Sequence, residues 1–305
     1  SIPTKDRFSV QRNNVLYVSE HYDGSIEGVL EAVRDRTGHL WYEYFRDVEI
    51  AQVLQFKPHL YGISVADERQ FIQACVLASM VKEASPEIIV VMGGNFWSRI
   101  THAFQNPKLA RLFDFCDAIV YREGFQPIRK LANTLDPSSA SGTMWRDKDA
   151  VKINPPTSNP TDFDTLPIPI FADTQQWSPD RVYPMYTMSN CPMQCGYCAI
   201  SAGSDSYLDK PRSMSPRKMA ENMMALQGHR FDIQDEMFPI PRQLALGEEL
   251  KRLGHSATWN CYMTVSDQLL DPAVCHKLHD AGCRPVQLGL ETPHPQPPHQ
   301  QGQHP

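Results

Sequence analysis

Up to Leu135 two hydrophobic rhythms take turns along the chain. Contiguous apolar runs at 15–18, 60–65, 87–92 and 117–121 have the length of strands, and the β-branched run at 87–92 is typical of a strand buried on both faces. Between them, 26–33, 67–83 and 125–135 carry apolar residues three and four apart, the spacing of an amphipathic helix. Strands alternating with helices predict an α/β fold, here a Rossmann-like, doubly wound parallel sheet. In such sheets ligands collect beyond the carboxyl ends of the strands, where Ser64, Gly93, Gly94, Asn95, Glu123 and Gly124 stand. Glycines there let a large flat ligand approach the backbone, although a plain strand-to-loop turn also accounts for Gly93-Gly94.

The rhythm stops over 137–184. A serine-rich opening leads into seven prolines between Pro155 and Pro184, which marks a linker, read as an ordered strap with a possible hairpin at 143–153. It then resumes with strands at 183–190, 230–238, 258–265 and 284–291 and helices at 215–226, 242–253 and 272–281. Four such strands predict part of a parallel (β/α) barrel with its active site at their carboxyl ends. After Glu291 only proline, glutamine, histidine and small residues follow, so the tail is expected to be disordered, and a metal-binding histidine tract is the sharper alternative. The organisation read from the pattern is 1–136, an α/β domain; 137–184, linker; 185–292, partial barrel; and 293–305, tail.

Composition narrows the class. With 41% hydrophobic, 10% aromatic and 21% charged residues the chain can bury a sizeable core. A net charge of −6 without a basic stripe argues against nucleic acid as a partner. The longest apolar run, 75–81, falls far short of the roughly 18 residues of a membrane span. A soluble, cytoplasmic location is expected.

Eight cysteines are many for such a chain, but Cys75, Cys116, Cys261, Cys275 and Cys283 are scattered singly and make no disulfide framework. The other three, Cys191, Cys195 and Cys198, follow the first strand of the second half with C-x3-C-x2-C spacing. Three thiolates so placed can hold three irons of an iron–sulfur cube and leave the fourth open to a chelating substrate. Structural zinc, a redox pair and three buried structural thiols are the other readings. Zinc lacks a fourth ligand nearby, the next histidine being His229.

The segment Cys191-Pro192-Met193-Gln194-Cys195-Gly196-Tyr197-Cys198 resembles the cluster loop of the radical S-adenosylmethionine (SAM) superfamily. Phe231 to Phe238 resembles that family's second barrel strand, and Leu288-Gly289-Leu290-Glu291-Thr292 the end of its fourth. Upstream, Lys57 to Val65, Val91-Met92-Gly93-Gly94 and Tyr121-Arg122-Glu123-Gly124 resemble the cobalamin-binding domain often fused in front of the barrel. The likeness runs over roughly residues 14–292.

The resemblance implies a [4Fe-4S] cluster on Cys191, Cys195 and Cys198, with Tyr197 against the adenine of SAM. Asp235 and Glu236 would accept from the amino group of its methionine part, and Glu291 would reach the ribose or the amino acid part. Cobalamin would lie on the loops of Ser64, Gly93, Gly94, Asn95, Glu123 and Gly124. The histidine motif by which many such domains bind cobalt is absent, and His59 reads as a surface residue. The family barrel normally has six strands, so this one looks truncated at its C-terminus. The implied activity is SAM cleavage driving methyl transfer to an unactivated carbon of a small-molecule or peptide substrate, with an electron donor such as flavodoxin or ferredoxin. Alternatives are a radical cyclase or oxidative enzyme, a methylthiotransferase with a second cluster in the front half, and a non-catalytic remnant that only binds cluster or corrinoid.

Overall fold

A computed structural model describes residues 8–11, 14–17, 22–148, 150–157, 160–171, 181–193, 195, 198 and 211–289. It divides into two compact units, Ser1–Pro160 and Thr161–Pro305.

In the first unit β1 (Phe8–Gln11) and β2 (Asn14–Tyr17) pair only with each other, antiparallel. The run at 15–18 therefore does not open the main sheet as expected. Helix α1 (Ile26–Arg34) begins where the Ser25 hydroxyl accepts from the Gly28 amide. A helical stretch that the apolar spacing does not predict follows: α2 (Tyr42–Tyr44), a π-helical turn (Phe45–Ile50) and α3 (Ala51–Phe56). It buries little besides Phe45 and Val53, too few positions to show a period. Next come β3 (Leu60–Ser64), α4 (Phe71–Ala84), β4 (Ile89–Gly93), α5 (Asn95–Arg99), β5 (Ala118–Val120), α6 (Phe125–Thr134), β6 (Thr143–Asp147) and β7 (Ala150–Asn154).

The sheet order is β3-β4-β5-β6-β7, with the first three strands parallel and the last two antiparallel. The hairpin expected in the linker thus belongs to this sheet and lies on β5. Helix α4 is fixed to the strand starts by Lys82, whose Nζ donates to Pro86 O (2.8 Å), Ile88 O (2.9 Å) and Asp117 Oδ2 (3.0 Å). That carboxylate also accepts from the Val90 amide at 2.8 Å.

At the carboxyl ends the loops after β3 and β4 are stitched together. The Val65 amide donates to Gly93 O (2.7 Å) and the Phe96 amide to Val65 O (3.1 Å). Gly94 between them has φ +104°, and a Cβ there would strike the Val65 backbone. Both facts demand glycine.

The second unit contains β8 (Tyr183–Met185), β9 (Met188–Ser189), β10 (Arg212–Ser213), α7 (Pro216–Ala225), β11 (Arg230–Ile233), α8 (Ile240–Arg252), β12 (Thr258–Thr264), α9 (Pro272–Ala281) and β13 (Cys283–Gly289). Its sheet runs β13-β12-β11-β8, all parallel. Alternation along the strands sends Phe231, Ile233, Trp259, Cys261 and Met263 into a core with Met219, Met223, Leu246, Leu250 and Leu278. Asp232, Asn260 and Tyr262 take the opposite face by the same period. Helix α8 is keyed to β12 by the buried Gln243, which accepts from Trp259 Nε1 (3.1 Å) and donates to Phe238 O (2.9 Å). The single strand expected at 183–190 is two pieces, because the chain leaves the sheet after Met185 and β9 pairs antiparallel with β10.

Gly94→Ala should lower the unfolding midpoint by an amount equivalent to roughly 1–3 kcal/mol, the cost of a strained left-handed residue with a backbone clash. Gly24→Ala, where a Cβ meets nothing within 4 Å, serves as control and should shift urea unfolding hardly at all.

Candidate functional site

The site begins where β8 ends. Gln234, just past β11, donates its amide to Met185 O at 2.8 Å, which aligns the carboxyl ends of the two strands. Three residues after Met185 the chain enters the β9–β10 ribbon, with Ser189 opposite Arg212 and Met188 opposite Ser213. Asn190 then takes a left-handed conformation (φ +59°) and turns the chain out of the ribbon. The chain thus leaves the ribbon after Ser189 and rejoins it at Arg212, opposite its point of departure.

Cys191, Cys195 and Cys198 lie between those two points as half-buried free thiols. The Cys195 amide donates to Met193 O (2.9 Å) and the Cys198 amide to Cys195 O (3.0 Å), a tight sequence of turns. The Met193 amide points back at Cys191 Sγ, 3.4 Å away. Burial pushes the Cys191 thiol pKa up, and the Met193 amide works against that. The neighbouring charges of Cys195, Glu236 and Cys198 push it up further. Those effects place the three thiols and one carboxylate in one neighbourhood.

Among the described residues no three His, Cys, Asp or Glu side chains are already closed around a metal position. The fit to a cluster rests on the donor set: three soft thiols on one short loop suit iron–sulfur ligation. Tyr197 and Glu291 lie outside the described residues.

Asp235 and Glu236, expected to act together on the amino group of SAM, part company. Asp235 is 0% exposed, and its carboxylate is full. Oδ1 accepts from the Thr187 amide (2.6 Å) and the Met188 amide (2.8 Å). Oδ2 accepts from the Thr187 hydroxyl and from Arg242 Nη1 (2.9 Å). With about four acceptor positions on a carboxylate, none is left for an incoming ammonium. In this structure the Asp235 carboxylate is taken up by protein partners. Glu236 is exposed and lies near Cys191. Thr187 and Arg242, which complete this arrangement, escape a reading of the sequence. A threonine close to two methionines and an arginine on a helix carry no motif.

In the first unit Ser64, Gly93, Gly94, Asn95, Glu123 and Gly124 all stand at or just past the carboxyl ends of β3, β4 and β5. Gly93 and Gly94 are joined to the β3 loop as described above, and Arg122, left-handed at φ +65°, donates its amide to Ser98 Oγ at 2.8 Å. His59 is exposed at the opposite end of β3. Cys75 and Cys116 are buried, 0% and 2% exposed. Burial drives both thiol pKa values up, as befits core cysteines.

Residues 185–302 match the model of the Radical SAM superfamily. Most of the second unit is thus similar to a radical SAM domain. No curated protein matches the chain. Two solved structures of the cobalamin-dependent S-adenosylmethionine radical enzyme OxsB are similar to it, one with aqua-cobalamin and S-adenosylmethionine bound and one with aqua-cobalamin bound. Each superposes with a TM-score of 0.61 at 16% identity, over 80% of this chain and 37% of OxsB. The likeness is one of fold, and this chain spans little more than a third of that protein. The matched stretch begins at Met185, the last residue of β8, and Cys191, Cys195 and Cys198 lie inside it.

The two carboxylates should separate in mutants. Asp235→Ala strands a buried Arg242 and should cost about 3–5 kcal/mol in urea unfolding, whereas Glu236→Gln, at an exposed position, should stay within about 0.5 kcal/mol.

Proposed function

We propose that the protein is a radical SAM enzyme that uses cobalamin to transfer a methyl group to an unactivated carbon. Its substrate would be a small molecule or peptide, and a flavodoxin- or ferredoxin-type donor would supply electrons. The observation that carries the reading is the C-x3-C-x2-C loop at the exit of the first strand of a radical SAM domain, with Glu236 beside Cys191. No helix among the described residues is long and apolar enough to cross a membrane.

The chemistry a bound cluster would supply is one-electron reductive cleavage of SAM, and a bound corrinoid would supply the methyl group. The protein's own share is binding and orientation. Cys191, Cys195 and Cys198, as thiolates, would hold three irons and leave one for the amino and carboxylate groups of SAM. Glu236 would accept a hydrogen bond from the ammonium group, for which a carboxylate is the strongest acceptor. Tyr197 would lie against the adenine and Glu291 would reach the ribose. Ser64, Gly93, Gly94, Asn95, Glu123 and Gly124, at or just past the strand ends of the first unit, would line the corrin ring.

Anaerobic reconstitution with iron and sulfide should give about four irons per chain, the complement of one [4Fe-4S] cluster. Incubation with SAM and a strong reductant should then release 5′-deoxyadenosine. Loss of neither signal in Cys195→Ala would sink the assignment. Glu236→Gln should keep the iron and weaken SAM binding roughly tenfold, about one charge-assisted hydrogen bond. Corrinoid retained by the wild-type chain on gel filtration tests the cobalamin part separately.

A further inference from the structure

Arg242 carries more contacts to the base of the cysteine loop than to its own helix, and they reach residues beside both of the loop's ends. Its Nη1 pairs with Asp235 Oδ2 at 2.9 Å. Its Nη2 donates to Thr187 O (3.0 Å), Thr187 Oγ1 (2.9 Å) and Met214 O (2.8 Å). Thr187 precedes β9, through which the chain enters the loop, and Met214 follows β10, through which it returns. The two are also joined directly, since the Met214 amide donates to Thr187 O at 2.8 Å. Asp235 completes the set by accepting from the Thr187 and Met188 amides and from the Thr187 hydroxyl. The hydroxyl thus accepts from the guanidinium and donates to the carboxylate, so its proton direction is settled.

The environment makes this arrangement stiff. Asp235 and Thr187 are 0% exposed and the Arg242 side chain 11%. The guanidinium lies over the Phe238 ring, 5.1 Å from its centroid. Only a planar fork reaches Asp235 and both loop ends together; an ammonium is a single point.

We propose that Arg242, Asp235 and Thr187 form a positioning clamp that sets the direction in which the cysteine loop presents its thiolates, and thereby the orientation of the open iron toward SAM. None of the three touches SAM or iron in this role; they act through Thr187–Met188 and Met214. The same strand end therefore supplies two adjacent carboxylates with divided duties, Asp235 orienting the loop and Glu236 facing the ligand. The inference rests on the cluster reading above.

The test uses the full chain, reconstituted anaerobically, in four forms: wild type, Arg242→Lys, Thr187→Val and Thr187→Ser. Iron content, thermal unfolding of the apo chain and the electron paramagnetic resonance spectrum of the reduced cluster are followed during a titration with SAM. Thr187→Ser keeps the hydroxyl and should match wild type in all three. Arg242→Lys and Thr187→Val should still bind at least half the iron, but the SAM-induced spectral change should need about tenfold more SAM or be lost. A merely structural role would lower the unfolding midpoint and leave the SAM titration of the loaded fraction unchanged, and that result overturns the clamp. Equal titrations in all four forms overturn it too. If wild type itself binds no iron, the cluster reading fails, and the clamp as a cluster-positioning device falls with it. Wild type that loads normally beside insensitive variants condemns the clamp alone.

Discussion

The second unit depends on one buried ion pair. A carboxylate at 0% exposure is tolerated only if its charge is matched and its oxygens are occupied, and Asp235 achieves both with Arg242, Thr187 and two backbone amides. Replacing such a pair with apolar groups often costs little, so stability alone is a weak reason for its presence. What it does that apolar packing cannot is to tie specific backbone atoms of three segments, the approach to β9, the exit of β10 and helix α8, into one geometry. Each has freedom of its own: β9 and β10 are two residues long and could not persist as an isolated ribbon.

Much of the architecture is legible in the sequence because burial imposes period. The strands at 60–64 and 89–93 and the helices at 26–34, 71–84 and 240–252 lie where the apolar rhythm puts them, within a few residues. Differences cluster where the rhythm says nothing about pairing. Val15 to Tyr17 is as apolar as a central strand, yet β2 pairs with β1, and nothing in four residues specifies the partner. The hairpin at 143–154 is visible as two short runs around a turn, but its place on β5 follows from long-range pairs such as Ile119 with Met144. The break between Met185 and Met188 is hidden because both sides are strand-like and only the buried Asp235 draws Thr187 out of line.

The candidate site divides the same way. Spacing exposes the three cysteines, since ligation by one loop needs its donors close in sequence. It cannot sort Asp235 from Glu236, because neighbouring residues on a strand end point to opposite sides and composition does not say which side is buried. Thr187 and Arg242 are 55 residues apart, and their relation exists only in the folded unit. Gly94 is the converse case. Its dipeptide suggests both a turn and a ligand approach, and the Val65 backbone accounts for the glycine without any ligand.

The ribbon that leads into the cysteine loop is fastened by contacts between protein atoms, those of Thr187, Met214, Asp235 and Arg242. On the proposed reading, metal uptake would resemble fitting a keystone into a standing arch. In a zinc finger, by contrast, the chain has no form until the ion gathers it. Such a scaffold would keep its form whether the proposed centre is loaded or empty.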